Sequence, residues 1–222
     1  MRLLHTTDLH FQKRWFQWVQ SVADGFDAVC ISGDFVDALR METIREQIRW
    51  VRDWMEAFHR PLFVCSGNHD WLLLGHASSP ADPNHWMLSV RNPKVKIDGQ
   101  SDTIEGWRFE CHGWMNPIVS ALQPNTVIVY HAPPHGAATA REFGGDNGDF
   151  EMEDIAQQLP RGSVILSGHV HCPERWFARV GNAWSLNPGV DVKAAVPNHV
   201  VLDTRARTAV CYSRQNGTVS FR

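Results

Sequence analysis

The sequence has no apolar run that approaches the ~20 residues of a membrane-spanning helix. Residues 1–5 enter a strand-like segment at once, without the apolar stretch and cleavage site of a secretory signal. The five cysteines are odd in number and widely spread, which is typical of unpaired thiols rather than of a disulfide framework. Together these absences predict a cytoplasmic protein with no membrane contact.

An excess of positive charge is missing as well. The 21 Lys and Arg residues face 24 Asp and Glu residues, so the formal net charge is −3. A protein that coats nucleic acid is expected to be basic, and nucleic acid is therefore not favoured as a partner. A nucleotide held in one cleft stays compatible with this balance.

The chain does have enough length for a substantial core, and it has many histidines. Its 222 residues suit one large domain rather than two, because a typical domain has ~150 residues. No repeat, low-complexity tract or linker divides the chain, so we predict a single domain over residues 1–222. Several of the twelve histidines stand beside Gly, Asn or Asp in loop-like segments, which indicates metal binding or acid–base chemistry.

The first 70 residues alternate between strand-like and helix-like patterns. Residues 2–7, 28–32 and 62–65 read as strands, and the last two are continuous apolar runs of the kind found in parallel sheets. Residues 11–23 and 39–58 carry apolar side chains at helical spacing. This β-α-β-α-β order predicts a parallel sheet whose functional groups follow the carboxyl ends of its strands.

Candidate metal ligands follow five predicted strands. They are carboxylate, amide and imidazole side chains, and no thiolate is required among them: Asp8, His10, Asp34, Asn68, His69, His131, His169 and His171. Residues i and i+2 of an extended segment face the same way, so the Asp-x-His and His-x-His pairs are each expected to point into one site. Mixed oxygen and nitrogen ligands suit Mn, Fe, Zn or Ni better than a cysteine-rich structural zinc site.

The charge of this set favours two divalent ions over one. Two such ions bring +4 against the −2 of Asp8 and Asp34, and a hydroxide and an anionic substrate would match the remainder. Ions ~3.5–4 Å apart can activate an attacking oxygen and neutralise phosphoryl oxygens. The pattern therefore predicts a dinuclear centre that acts on phosphate.

Five ordered motifs resemble those of the calcineurin-like metallophosphoesterase superfamily, in particular its small prokaryotic phosphoesterases. They extend from residue 8 to residue 171 and comprise Asp8-Leu9-His10, Gly33-Asp34-Phe35-Val36-Asp37, Gly67-Asn68-His69-Asp70, His131 and Gly168-His169-Val170-His171. A single Asp-x-His is common by chance, but the ordered set is very specific. The resemblance implies an α/β fold, a four-layer αββα sandwich of two mixed β-sheets flanked by helices.

The same resemblance implies a role for each motif residue. One metal would be held by Asp8, His10, Asp34 and His171. The other would be held by Asp34, Asn68, His131 and His169, with Asp34 as the bridge. His69 resembles the family's catalytic histidine, which binds no metal but stabilises the transition state or protonates the leaving oxygen, and Asp70 would orient it.

We interpret the chain as a dinuclear metal-dependent phosphoesterase in which metal-bound hydroxide attacks a phosphate ester. Protein phosphatases of the superfamily usually carry Asp-Arg-Gly and Gly-Asn-His-Glu, where this chain has Asp37-Ala38-Leu39 and a third motif that ends in Asp70. A small or cyclic phosphodiester is therefore the preferred substrate, a phosphomonoester is the alternative, and Mn²⁺ is the metal expected to support activity in vitro. A non-catalytic metal-binding scaffold or regulator on the same fold is the alternative from another class.

The sequence allows more than one role for several further residues. His135 follows His131 across two prolines and lies either on the substrate side or in a solvated loop, and His85 either lines the substrate side or belongs to a surface loop. Asp37 is expected to cap the helix that begins near Leu39. The sequence does not determine the native metals, the physiological substrate or the oligomeric state.

Overall fold

The computed structural model describes residues 1–71 and 86–221, and within them it places fifteen strands and four α-helices. In chain order the strands are β1 (Arg2–Thr6), β2 (Ala28–Ser32), β3 (Leu62–Cys65), β4 (Val95–Lys96), β5 (Ser101–Ile104), β6 (Trp107–His112), β7 (Thr126–Tyr130), β8 (Arg141–Glu142), β9 (Gly145–Asp146), β10 (Val164–Leu166), β11 (Phe177–Val180), β12 (Ala183–Leu186), β13 (His199–Asp203), β14 (Thr208–Tyr212) and β15 (Gly217–Ser220). The helices are α1 (Lys13–Val22), α2 (Ile44–Glu56), α3 (Asn68–Trp71) and α4 (Phe150–Gln158). Short 3₁₀ turns cover Ala23–Gly25, Met41–Thr43 and Trp86–Ser89. Every helix in these described segments is too short or too polar to cross a membrane.

The first sheet has seven strands in the order β15-β14-β13-β1-β2-β3-β4. Strands β1 to β4 are parallel neighbours, whereas β13, β14 and β15 continue from β1 in antiparallel fashion. The parallel part agrees with the continuous apolar segments, because a strand covered on both faces needs no polar side. Strand β1 is paired on both edges, with Leu4 opposite Val29 on one side and Val201 on the other.

The second sheet has six strands in the order β11-β12-β10-β7-β6-β5. Its four central strands are parallel, and the edge strands β11 and β5 pair antiparallel with their neighbours. Strands β8 and β9 form a separate small hairpin. Both large sheets are therefore mixed.

Three apolar layers separate the helices and the sheets. Helices α1 and α2 pack side chains such as Phe16 and Met55 against one face of the first sheet. Between the two sheets, Phe63 stacks on Phe109 with ring centroids 4.1 Å apart. Helix α4 covers the other face of the second sheet through Met152 and its neighbours. This αββα arrangement confirms the fold class expected from the motifs.

The second predicted helix begins later than its apolar pattern indicates. Helix α2 starts at Ile44, after the 3₁₀ turn Met41–Thr43. Asp37 does not cap it, because its carboxylate accepts a hydrogen bond from Leu39 N at 3.1 Å and lies 3.1 Å from Arg40 Nε. Leu39, where the helix was expected to begin, precedes it and is 86% exposed.

Loops from both sheets meet at one end of the sandwich, beyond the carboxyl ends of β1, β2, β3, β7 and β10. Gly168 N donates to His131 O at 2.8 Å, and His10 N donates to Asp34 O at 2.9 Å. His131 Nδ1 lies 2.7 Å from Ser32 O, which links the second sheet to the first. This end therefore collects the loops that carry the predicted ligands.

Candidate metal centre

The loops that carry the predicted ligands adopt left-handed backbone conformations. The φ angle is +52° at Asp8, +39° at His10, +54° at Asp34 and +65° at His169. Residues other than glycine seldom adopt such angles, and this strain concentrates at functional sites. The extended backbone assumed for the Asp-x-His and His-x-His pairs is therefore wrong. Their side chains converge because the backbone turns, not because an extended chain alternates.

Two glycines allow the loops to approach one another closely. A Cβ atom on Gly33 would collide with the His131 ring, and Gly33 also has a φ of +89°. A Cβ atom on Gly67 would collide with the Asp34 carboxylate. Glycine at these two motif positions therefore makes room for the side chains of neighbouring loops to share one site.

The first group of donor atoms comes from Asp8, His10 and His171, and its members lie within 4.8 Å of one another. His171 Nε2 lies 3.4 Å from Asp8 Oδ1, and His10 Nε2 lies 3.8 Å from the same oxygen. His10 Nε2 is also 3.9 Å from Asp34 Oδ2. The structure thus brings together the four side chains predicted for one metal.

The second group also includes a contact with Asp34. His131 Nε2 is 3.4 Å from Asp34 Oδ2 and 3.0 Å from Asn68 Oδ1. The same amide oxygen is 3.0 Å from His169 Nδ1. Asp34 Oδ2 therefore lies near a histidine of each group, as a bridging ligand would.

These donor atoms fit divalent cations. Asp8 is fully buried, and within the described residues its Oδ1 accepts no hydrogen bond. A buried carboxylate oxygen without a donor is costly unless a cation compensates it. Two carboxylates, one amide oxygen and four imidazoles form a mixed oxygen and nitrogen set that suits Mn, Fe, Zn or Ni.

The two carboxylates keep their charge at neutral pH. Burial by itself raises the pKa of each, but neighbouring histidines outweigh it: His171, His131 and His10 lower the pKa of Asp8, and His131 and His10 lower that of Asp34. A carboxylate must be ionised to bind a metal. The electrostatics of the cluster therefore favour the metal-binding form of both groups.

The imidazoles of His131 and His169 differ in protonation. Burial lowers the pKa of His131, but Asp34 and Asp8 outweigh burial and raise it to about 9. The pKa of His169 is lowered to about 4, by burial first and then by the nearby His131. In the metal-free protein His131 thus carries a proton that a cation would have to displace, whereas His169 is neutral and ready to coordinate.

His69 lies at the edge of the cluster, with one ring nitrogen within 4.8 Å of donor atoms of His10 and Asp34. Its Nδ1 accepts a hydrogen bond from Ala38 N at 3.1 Å, and its backbone N–H donates to Asp34 Oδ1 at 2.8 Å. Because Nδ1 is an acceptor, the neutral ring carries its proton on Nε2. Burial, and then the charge of His10, lower the pKa of His69, which favours this neutral form.

Asp70, which we expected to orient His69, holds backbone amides of two loops. Its Oδ1 accepts from Phe35 N at 3.1 Å and from Val36 N at 3.3 Å, and its Oδ2 accepts from Gly67 N at 2.8 Å. These bonds tie the loop after β2 to the loop after β3. A direct effect of Asp70 on His69 stays a prediction.

Among the described residues, His69 and His171 line two cavities that adjoin the cluster. One has a volume of about 780 Å³. Its lining includes His10, the first turn of α1 and Arg40 in the loop after β2. The other has a volume of about 470 Å³, and its lining includes Asn68, His169 and the hairpin of β8 and β9. A ligand at the cluster can therefore extend into two separate spaces.

His135, one of the two histidines whose role the sequence leaves open, lies apart from this arrangement. His135 Nδ1 is 3.3 Å from Glu153 Oε2, and its ring stacks on Phe150 with centroids 3.9 Å apart. Among the described residues His135 does not line either cavity. His85 lies outside the described residues. A substrate-side role for either histidine stays a prediction.

Two residues that sequence reasoning did not assign support the centre from outside. Asn187 Nδ2 donates to Gly168 O at 3.0 Å and to Val170 O at 2.9 Å, on either side of His169. The Trp114 ring packs on the His169 ring with centroids 5.1 Å apart. The Asn-Pro-Gly turn at 187–189 is a signal that could have identified the first of them, whereas the tryptophan lies in a loop without a recognisable pattern.

The chain is similar to known proteins in sequence pattern and in fold. The family model of calcineurin-like phosphoesterases matches residues 1–173. No curated protein sequence matches. Among solved structures, TT1561 of Thermus thermophilus has a TM-score of 0.61 at 14% identity, with 100% of this chain and 99% of that chain covered. The purple acid phosphatase PPD1 from yellow lupin (Lupinus luteus) seeds has a TM-score of 0.51 at 13% identity, with 99% and 53% covered.

Proposed function

Because this chain belongs to the calcineurin-like phosphoesterase family, we propose that it is a dinuclear metal-dependent phosphodiesterase that hydrolyses a small or cyclic diester. The proximity of the Asp34 carboxylate to a histidine of each donor group carries this proposal. Its Oδ2 lies 3.4 Å from His131 Nε2 and 3.9 Å from His10 Nε2. A carboxylate shared in this way holds two cations near each other, which suits a displacement at phosphorus.

The ligand sets follow from the two groups. Asp8, His10, Asp34 and His171 would hold one ion, and Asp34, Asn68, His131 and His169 would hold the other. When bound, the two ions would activate a water for attack and neutralise the phosphoryl oxygens. The donor set suits Mn, Fe, Zn or Ni, and we expect Mn²⁺ to support activity in vitro.

His69 would supply a hydrogen-bond donor. With its Nδ1 occupied by the Ala38 amide, the neutral ring carries a hydrogen on Nε2. The side chain lines both cavities, so this hydrogen can reach a substrate that extends into either. Donation to the ester oxygen would stabilise the negative charge that develops there as its bond to phosphorus breaks.

The preference for a diester is supported by the two cavities. A diester carries two substituents on phosphorus, and a monoester carries one. The cavities share His69 and His171 but are otherwise lined by different residues, so each substituent can occupy its own space. A monoester would use one of the two.

We also propose that the enzyme is a single domain over residues 1–222 that acts in the cytoplasm on a small phosphate ester. The cysteines support the location, because all five are free thiols and four of them are buried. The net charge of −3 supports a small substrate rather than a nucleic acid coated along its length.

The substrate proposal is tested with bis(p-nitrophenyl) phosphate and p-nitrophenyl phosphate, each supplied to the Mn²⁺-loaded protein. We expect metal-dependent hydrolysis with a higher kcat/KM for the diester. A higher kcat/KM for the monoester would replace the diester preference by the alternative activity. Two bound metal ions without hydrolysis of either ester would favour the non-catalytic scaffold.

A further inference from the structure

The cavity of about 780 Å³ carries positive charge that the proposed chemistry does not use. Besides three histidines of the centre, its described lining includes Lys13, Arg14 and Arg40, against the single carboxylate of Asp37. The chain as a whole has a net charge of −3, so this positive wall is a local feature. Two of the three cations have acidic partners: Lys13 Nζ lies 3.7 Å from Glu46 Oε1, and Arg40 Nε lies 3.1 Å from Asp37 Oδ2.

Arg14 is held in place without being neutralised. Its Nη2 donates to Gln12 Oε1 and to Val192 O, both at 2.9 Å, and neither oxygen carries a charge. Its guanidinium carbon lies 5.8 Å from the centre of the Trp15 ring. No ion pair among residues 1–71 and 86–221 includes Arg14. A guanidinium fixed in this way presents its remaining donors as a preorganised fork for an anion.

The stability of α1 does not account for this cation. Lys13 and Arg14 stand in the first turn of α1, and that turn has no acidic residue. The amino end of a helix stabilises negative charge and disfavours positive charge. A need for positive charge in the cavity accounts for the placement better than helix stability does.

We propose that Arg14 binds a second phosphate, which is carried by one substituent of the diester at the metal centre. This inference rests on the proposed function. The substrate class is then a phosphodiester of a phosphorylated alcohol or nucleoside. Water adds to the diester phosphorus, the P–O bond to one substituent breaks, and that oxygen takes up a proton. The second phosphate remains intact and serves for recognition.

The test uses two chromogenic diesters that differ by one phosphate: thymidine 5′-(p-nitrophenyl phosphate) and the same compound phosphorylated at its 3′ oxygen. We expect the Mn²⁺-loaded protein to hydrolyse the phosphorylated compound with at least a ~10-fold higher kcat/KM, the range of a charge-assisted hydrogen bond. Arg14→Gln should bring this ratio close to one, and Arg14→Lys should retain part of it. A ratio near one in the parent, or an unchanged ratio in Arg14→Gln, would overturn the inference.

Arg179→Gln is the matched control. Arg179 is also exposed, and its Nε donates to an uncharged oxygen, Gly181 O, at 3.2 Å. It lines neither of the two cavities among the described residues. This variant should keep both the activity and the substrate ratio of the parent.

Equilibrium binding separates this inference from the proposed function. Thymidine 5′-monophosphate and thymidine 3′,5′-bisphosphate are titrated into the Mn²⁺-loaded parent and into Arg14→Gln by calorimetry. We expect the bisphosphate to bind the parent at least ~10-fold more tightly, and Arg14→Gln to lose this difference. The binding difference without hydrolysis of any diester would support the Arg14 site and contradict the proposed function. Hydrolysis without a difference in rate or in binding would contradict the Arg14 site alone.

Discussion

At His69, one backbone amide determines which ring nitrogen can donate a hydrogen bond to the substrate. The Ala38 N–H occupies Nδ1 and leaves the hydrogen on Nε2. We predict that His69→Asn lowers turnover of a diester by at least ~10²-fold, the usual loss when a hydrogen-bond donor to developing negative charge is removed, and keeps two metal ions per chain. Steady-state kinetics and metal analysis check this prediction.

The His69 variant also decides between two roles, because the side chain lies close to donor atoms of His10 and Asp34. Loss of a metal ion together with turnover would identify His69 as a ligand and contradict its role as the hydrogen-bond donor. His59→Asn is the control, since His59 is exposed and its Nε2 lies 2.8 Å from Asp24 Oδ1. This control should match the parent in both measurements.

In the proposed dinuclear centre, both metal positions depend on Asp34. Its carboxylate contacts a histidine of each donor group, so removal of the carboxylate affects both groups together. We predict that Asp34→Ala loses both metal ions, measured by elemental analysis after gel filtration. Asp37→Ala removes a nearby carboxylate that belongs to neither group and should keep two ions. Full occupancy in Asp34→Ala would contradict the bridging role.

At the level of elements, the loop after β6 is fastened to its strand by Glu110. Its Oε1 accepts from Arg108 Nε at 2.7 Å and from Ala121 N at 3.1 Å, and its side chain is 4% exposed. Burial raises its pKa, but His112 and Arg108 outweigh burial and lower the pKa from 4.5 to about 2. This loop includes Trp114, so Glu110 supports the metal centre indirectly.

This shift predicts the pH dependence of a Glu110→Gln variant. The folded-state pKa lies below the unfolded-state value, so the carboxylate stabilises the fold above about pH 4.5, and this stabilisation is lost as the pH falls towards about 2. We expect Glu110→Gln to lower the free energy of unfolding by about 1–2 kcal/mol at pH 7. The difference from the parent should shrink as the pH falls from 4.5, measured by urea unfolding.

A difference that stays constant from pH 7 to pH 3 would contradict the role of the Glu110 charge. Glu42→Gln serves as the control, because Glu42 is exposed in the 3₁₀ turn Met41–Thr43. Its free energy of unfolding should follow that of the parent at every pH.

The parallel strands were predictable from the sequence, and the loop conformations were not. Strands β2 and β3 are recognisable because each is an apolar run that ends at a polar motif. The left-handed backbone at Asp8 and His10 has no such local signal. It depends on a neighbouring loop, since His10 N donates to Asp34 O across 24 residues of sequence. Arg14 could not be predicted from the sequence either, because an arginine on an exposed helix face is ordinary until the cavity beside it is known.

At the scale of the whole molecule, the first strand depends on the last three. The family match ends at residue 173, yet β13 pairs with β1, and β14 and β15 complete the same sheet. Without them one edge of β1 would be exposed. We predict that a chain of residues 1–173 shows no cooperative thermal unfolding by circular dichroism, whereas residues 1–222 unfold in a single transition. Cooperative unfolding of the shorter chain would contradict the single-domain proposal.

In the proposed mechanism, two cations that are both bound by Asp34 together hydrolyse a phosphodiester. This mechanism is tested by titrating the metal-stripped protein with Mn²⁺. Bound metal and hydrolysis of bis(p-nitrophenyl) phosphate are measured on the same samples. We predict that turnover rises with the second ion and reaches its plateau at two ions per chain. Full turnover with one ion per chain, or turnover in the metal-stripped protein, would contradict the dinuclear mechanism.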